Sequence, residues 1–326
     1  SAWYLLKGRD LSFARRSFAI AAAFGLASTL SVITLGDESG YELGDVQKVK
    51  LAAIEAMWET EPAPAAFTVF GFPNDETMTT EREFQIPYLL GLIATRSVDT
   101  PVLGLKELMA QNETRIRRGM DTYAALEQWR AGVRDDATRA KLLEPRNDLG
   151  YALLLKKYTP RVVDTSEAQI KQAARDTIPR VAPLFWGFRL MVAFGMWMLV
   201  LFGLSFYYCA RRQAGRKRWL LWAAVFSLPL PWLSSELGWF VAEYGRQPWT
   251  VSGMLPTYLS ASTLSVGQVT FSMSGFVLLY SALLIVELFL MIKYARLGPS
   301  SLGTGRYHFE NGSPAPAAPH TAATLP

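Results

Sequence analysis

The chain has 326 residues, half of them apolar, with ten tryptophans and a formal net charge of +5. That balance suits a membrane protein with a sizeable water-facing part, and a modest charge without basic tracts interleaved with aromatics argues against a nucleic-acid groove. Cys209 is the only cysteine, which excludes an internal disulfide and a thiolate metal cluster; in its apolar run it reads as a small packing residue.

The chain opens on Ser1, and its first six residues read as the last turn of an apolar helix entering Lys7-Gly8-Arg9-Asp10. A signal peptide carries its charges before its apolar core, the reverse order. The expectation is a truncated span and cytoplasmic loop at 1–10, with earlier spans upstream of Ser1. A first complete span is read at 11–36, because 17–35 holds no charge and is long enough to cross a bilayer. The stretch 37–180 is polar and mixed. Within it, 45–59 has helical spacing of apolar residues, ended by Glu61-Pro62-Ala63-Pro64. A short strand is expected at 67–72, a loop at 74–83, and amphipathic helices at 102–118, 120–133 and 168–176. A connection this long is normally functional or a small domain of its own.

The second span is read at 181–210, with Arg189 as its single charge, and a basic cytoplasmic loop follows at 211–218. The third span, 219–245, contains Pro229 and Pro231, which are expected to kink it, and one deep carboxylate, Glu236. An extracytoplasmic connection at 246–268 leads to a fourth span at 269–295, with Glu287 near its end. The tail 296–326, rich in Ala and Pro from Asn311, reads as cytoplasmic and disordered. Cations precede span one, fill the loop between spans two and three, and follow span four. The positive-inside rule then puts all three groups on the cytoplasmic side and 37–180 and 246–268 outside. The fold class is an all-α integral membrane protein: four complete transmembrane helices, an N-terminal remnant of a fifth, and a long mixed extracytoplasmic loop.

Trp232, Glu236, Trp239 and Glu243 are spaced four, three and four apart and share one helix face. An interfacial aromatic belt with a snorkelling carboxylate explains them as well as a face lining a cofactor or proton path; the depth of Glu236 favours the latter. Met191 lies roughly 12 Å along span two from Pro183, and its plain reading is packing. Arg189 at similar depth needs an anionic partner, a carboxylate or a cofactor propionate. Lys50 and Glu55 read as ordinary members of a solvated helix face. His308 and His320 are the only histidines and both follow span four, so this chain cannot by itself complete a site that needs imidazole in the membrane. Nucleotide-binding and nucleophile-elbow motifs are absent.

Several separated stretches carry a resemblance. They are Gly245-Arg246-Gln247-Pro248-Trp249 with Leu255-Pro256-Thr257, Gly36-Asp37-Glu38-Ser39-Gly40-Tyr41-Glu42, and Lys50-Leu51-Ala52-Ala53-Ile54-Glu55-Ala56. Ile93-Ala94-Thr95-Arg96-Ser97-Val98-Asp99-Thr100-Pro101, Pro179-Arg180-Val181-Ala182-Pro183 and Ala295-Arg296-Leu297-Gly298-Pro299-Ser300-Ser301 add to them. In this order the chain resembles, from 1 to about 310, the C-terminal portion of subunit I of the cytochrome bd ubiquinol oxidases.

The resemblance implies a bacterial inner-membrane enzyme that oxidises ubiquinol outside, reduces dioxygen to water and generates a proton gradient. It implies a low-spin haem b, a high-spin haem b and a haem d. Met191 matches the methionine ligand of the low-spin iron, and Arg189 the arginine near it. Glu243 matches the carboxylate ligand of the high-spin iron, with Trp239 and Arg246 at the haems. Lys50 and Glu55 match quinol-site residues of the family's Q loop. Subunit II, small accessory membrane subunits and lipid are the implied partners, and nucleic acid is not. The histidine ligands and the proton-path acids belong to spans absent here, so this chain alone is expected to be inactive. A transporter or receptor with a folded extracytoplasmic loop is the alternative from another class.

Overall fold

A computed structural model describes residues 1–97, 99–144 and 148–297. Arg306, His308, His320, most of the 296–326 tail and the end of the 295–301 stretch fall outside the described residues. The chain divides into two units, Ser1–Ser262 and Thr263–Pro326.

In the first unit, α1 (Ala2–Lys7) ends at Gly8 in the left-handed region and turns into α2 (Leu11–Val46). The apolar part of α2 ends near Gly36, yet the helix continues past Asp37 and Glu38. Those carboxylates are held by Arg96, which also lies over the Tyr41 ring at 4.2 Å. After α3 (Lys48–Ile54), β1 (Phe67–Asn74) and β2 (Thr79–Ile86) form an antiparallel hairpin. The segment read as a loop at 74–83 therefore includes the start of a strand. Its polar residues concealed the alternation, and pairing with β1 supplies the backbone partners that propensity alone does not reveal.

A short α4 (Leu89–Ala94) leads to α5 (Leu105–Arg130), one helix where two were expected. Gly119 does not interrupt it. A Cβ there would clash with the Asp148 carbonyl and lie 3.0 Å from the Ala152 nitrogen, so the glycine serves close approach rather than a turn. The partner it admits is α7 (Leu149–Leu153), while α6 (Asp136–Leu143) and α8 (Glu167–Asp176) also pack on α5, the last opened by a capping box of Ser166 and Gln169. Ile116, Tyr123, Leu155, Val162 and Ile170 form their buried core, closed by Trp249. The long loop is thus largely a folded helical domain. Asp148 is buried and accepts from Arg115 Nε at 2.8 Å and from Arg118 at 3.1 Å, which neutralises it.

The spanning helices are α9 (Val181–Ala210) and the pair α10 (Arg218–Phe226) and α11 (Leu230–Tyr244). The proline-bearing span breaks at Ser227-Leu228-Pro229, because proline lacks the N–H that would continue α10 but suits a helix start. The Ser227 hydroxyl accepts from Trp197 Nε1 at 2.7 Å, tying the break to α9. A two-stranded turn, β3 (Trp249–Val251) and β4 (Leu255–Pro256), follows. A second core joins α3 to the start of α9 through Ala53, Ile54, Trp58, Val181, Leu184, Phe185 and Val241. Each large apolar side chain buried there contributes about 1.5–3 kcal/mol.

The second unit contains α12 (Val266–Leu297), opened by reciprocal bonds between Ser265 and Gln268. With α2, the helical run Glu167–Ala210 and Arg218–Tyr244, it makes four stretches long and apolar enough to cross a membrane. The protein is a multi-pass, mostly helical membrane protein.

Gly119→Val would force the Asp148–Ala152 turn away from α5. It is expected to lower the stability of the helical domain by roughly 1–3 kcal/mol, read as a lower melting temperature and earlier proteolysis within 105–176. Unchanged melting would remove the close contact as its explanation.

Candidate functional site

The site is built where α3 meets the neighbouring ends of α9 and α11. The apolar face of α3 packs on α9, and this docking carries Lys50 and the adjoining Glu55 inward, while Lys48 stays exposed. Lys50 is 8% exposed and Glu55 3%, so neither lies on a solvated face as the helical spacing suggested. Lys50 Nζ donates to the Ala242 carbonyl at 2.9 Å. That carbonyl belongs to the last turn of α11, where a cation also meets the negative end of the helix dipole. Burial holds the Lys50 ammonium below the usual lysine range, Arg246 adds to the shift, and Glu243 opposes it.

Glu55 ends α3 against Arg189. The guanidinium meets the carboxylate at 2.7 and 3.5 Å, and Nε donates to the Thr68 carbonyl at 3.1 Å. Further contacts run to the Ile54 and Thr68 carbonyls. The five N–H groups of an arginine are thereby accounted for within the chain. Phe185 lies 4.0 Å and Phe67 4.9 Å from the guanidinium, which is stacked between apolar rings. The anionic partner that Arg189 needed is a carboxylate of the loop. Burial raises the Glu55 carboxyl above its ordinary range, and the Arg189 charge and hydrogen bonds oppose that shift.

Met191, farther along α9, is half-buried against α11. The Ser234 hydroxyl donates to its carbonyl at 3.3 Å, and a Cβ at Gly238 would stand 3.1 Å from its sulfur. The next residue, Trp239, is 67% exposed, and Trp232 and Glu236 on the same face are exposed as well. Glu243 is paired with Arg246, and both side chains are partly exposed. Met191 and Glu243 thus lie on two adjacent helices, with Lys50 and Arg189 beside them.

Haem fits this arrangement in part. Arg246 Nε and Gln47 Oε1 are buried with no hydrogen-bond partner among the described residues. Both residues line a cleft of about 1110 Å³ that also takes in Lys50, Arg115, Asp148 and Tyr151. An anionic or hydroxyl oxygen would accept from Arg246 Nε, and a hydroxyl would donate to Gln47 Oε1. A thioether and a carboxylate are each reasonable single donors to an iron. The described residues contain no cluster of three or more His, Cys, Asp and Glu able to hold a bare metal ion. Gln47, Arg115, Asp148 and Tyr151 carried no signal in the sequence, since folding of the long loop alone brings them together.

The family model described as cytochrome bd terminal oxidase subunit I matches residues 1–299. The chain is 44% identical over 302 residues to the cytochrome bd-II ubiquinol oxidase subunit 1 of Escherichia coli (strain K12), covering 93% of this chain and 59% of that protein. It is 27% identical over 299 residues to the cytochrome bd ubiquinol oxidase subunit 1 of Bacillus subtilis (strain 168), covering 91% of this chain and 52% of that protein. The chain therefore spans little more than half the length of these relatives.

The buried pair has a thermodynamic signature. Arg189→Gln leaves the Glu55 carboxylate without a counter-charge and is expected to cost roughly 3–5 kcal/mol. The double variant Glu55→Gln/Arg189→Gln should recover part of that loss, a coupling that thermal unfolding of the four proteins measures. Strictly additive losses would mean that the two side chains do not interact.

Proposed function

Because the chain belongs to the cytochrome bd terminal oxidase subunit I family, we propose that it supplies the quinol-oxidising face of a terminal oxidase that reduces dioxygen to water. The observation that carries this reading is the convergence of Lys50, Glu55 and Arg189 with Met191 and Glu243 at one end of α9 and α11. A proton-handling pair and two candidate iron donors then lie within one region, as electron transfer from quinol to haem requires. The substrate is ubiquinol, entering the cleft beside Lys50. Subunit II and small accessory membrane subunits complete the assembly in the bacterial inner membrane. A transporter or receptor reading gains no support from the family match.

Lys50 orients one quinol oxygen as a hydrogen-bond donor. Its lowered proton affinity, caused first by burial, keeps it from holding its proton too tightly. Glu55, buried against Arg189 behind the cleft lining, is the acceptor for the quinol proton, since burial raises its affinity while Arg189 keeps its charged form tolerable. Arg189, fully engaged within the chain, acts on its surroundings through its charge. Met191 would hold the low-spin haem b, and Glu243 the high-spin haem b, with Trp239 against the haems and Arg246 towards a propionate; haem d completes the set. When bound, the haems supply stepwise electron transfer from quinol and the reduction of dioxygen. The Trp239 face of α11, open in this chain, suits such a flat apolar group. The charge of Glu243, now balanced by Arg246, would offset that of a ferric haem in a site of low polarity.

In the complete oxidase, Glu55→Ala and Lys50→Ala should each lower quinol turnover, Glu55→Ala by on the order of 10²-fold, with haem spectra kept. Met191→Leu should remove the low-spin signal, and Glu243→Ala the high-spin haem b signal with the low-spin haem retained. Normal quinol kinetics in both loop variants, or intact spectra in both ligand variants, would sink the corresponding role.

The folded loop faces the outside of the cytoplasmic membrane in this reading, with the basic 211–218 loop inside. A cysteine at the exposed Lys141 position should react with an impermeant thiol reagent from the periplasmic side. Reaction only from the cytoplasmic side would reverse the topology.

A further inference from the structure

The β1–β2 hairpin lies alongside the first turns of a spanning helix rather than beyond its end. Two ties fix its depth. At the tip, the Asp75 carboxylate accepts from the Val181 N–H at 2.8 Å. At the base, Arg189 Nε donates to the Thr68 carbonyl at 3.1 Å. Val181 to Arg189 is about 12 Å of helix at 1.5 Å per residue. The hairpin therefore runs beside the stretch of α9 that starts just after Arg180 and enters the apolar run.

Its outer face is aromatic. Phe70 and Phe72 meet edge-on at 5.1 Å, and each contacts Trp186 of α9, at 5.3 and 6.0 Å. Phe84 stands opposite Phe70 in the register, and Ile86 shares its face. All four hairpin side chains are at least 40% exposed, Phe84 most of all at 63%. The other face turns inward: Thr68 is buried and accepts from the Gln85 amide at 3.3 Å.

A contiguous apolar face of this kind does not stay in water without a partner. Its depth beside α9 is that of the headgroup–acyl boundary, where surface-lying amphipathic elements bury Phe, Trp and Leu side chains. The hydrocarbon core itself is excluded, because β2 is the edge of a two-stranded sheet and its unpaired backbone groups need a polar medium. Glu81, Arg82 and Glu83 on the same strand likewise suit a headgroup layer. We propose that the β1–β2 hairpin is a membrane-surface anchor that inserts Phe70, Phe72, Phe84 and Ile86 at the headgroup–acyl boundary next to α9. The anchor holds the Thr68 carbonyl, and through it Arg189 and Glu55, directly behind the lipid surface. It depends on the membrane span of α9 and not on the oxidase chemistry.

The test places a nitroxide on Phe84→Cys and, separately, on Ile86→Cys in the assembled protein. Cys209 is replaced by serine, and partner cysteines are blocked. Each labelled protein must keep the parent's melting temperature. After reconstitution into phosphatidylethanolamine–phosphatidylglycerol vesicles, collision of the label with oxygen and with a water-soluble nickel chelate is measured, with Lys141→Cys as the water-facing reference. The expected result is an oxygen-to-nickel collision ratio several-fold above the reference at both positions. A ratio equal to the reference would place the face in water, and shielding from both reagents would place a protein partner on it. Either outcome overturns the proposal.

Discussion

An arginine inside an apolar helix cannot remain unpaired, and much of this structure follows from how Arg189 is satisfied. Its charge is met by Glu55 from the end of α3, and its remaining donors by the Thr68 and Ile54 carbonyls. Three segments far apart in sequence, one helix of the loop, one strand of the hairpin and one span, are thereby held at a single point. The pair is not chiefly a source of stability, since desolvating two ions offsets most of their attraction. Its effect is geometric: once α9 carries the arginine, α3 and β1 are held where the Glu55 carboxylate and the Ile54 and Thr68 carbonyls meet its donors.

Lys50 is placed by the same docking. The apolar side of α3 buries against Leu184 and Phe185, and the helix period then carries Lys50 across to the end of α11. There the last-turn carbonyls lack intrahelical partners and the lysine supplies one. Neighbouring Arg246 and Glu243 form their own pair, so the corner between α9 and α11 holds two cation–anion pairs and a lysine within a largely apolar surround. Such a concentration of ionisable groups beside membrane spans is costly, and it marks function more often than architecture.

The helical domain from α5 to α8 stabilises this corner from the water side. Trp249, just past Arg246, closes its core and meets the Tyr151 ring at 4.9 Å, tilted by 57°. The segment that follows Glu243 is therefore gripped on one side by Lys50 and on the other by the loop domain. The cleft between them is lined by groups from both, including the two orphaned polar atoms.

The four spans could be read from the residues alone, because an uncharged apolar run of this length has few other uses. A kink at Pro229 and Pro231 was expected from the missing N–H and is found as a break between α10 and α11, and the helix at α8 was legible from its local spacing. The aromatic and acidic spacing of α11 was legible for the same reason, being a property of one helix. The environment of Lys50 and Glu55, by contrast, is set by folding. Their spacing on an amphipathic helix is the same whether the helix faces water or a span, and nothing local distinguishes the two. Likewise Gly119 reads as a break until the chain packed against it is seen, and β2 reads as loop until its partner strand supplies the hydrogen bonds. Partner choice for Arg189 was undetermined because Glu55 lies 134 residues away along the chain, a separation that only folding closes.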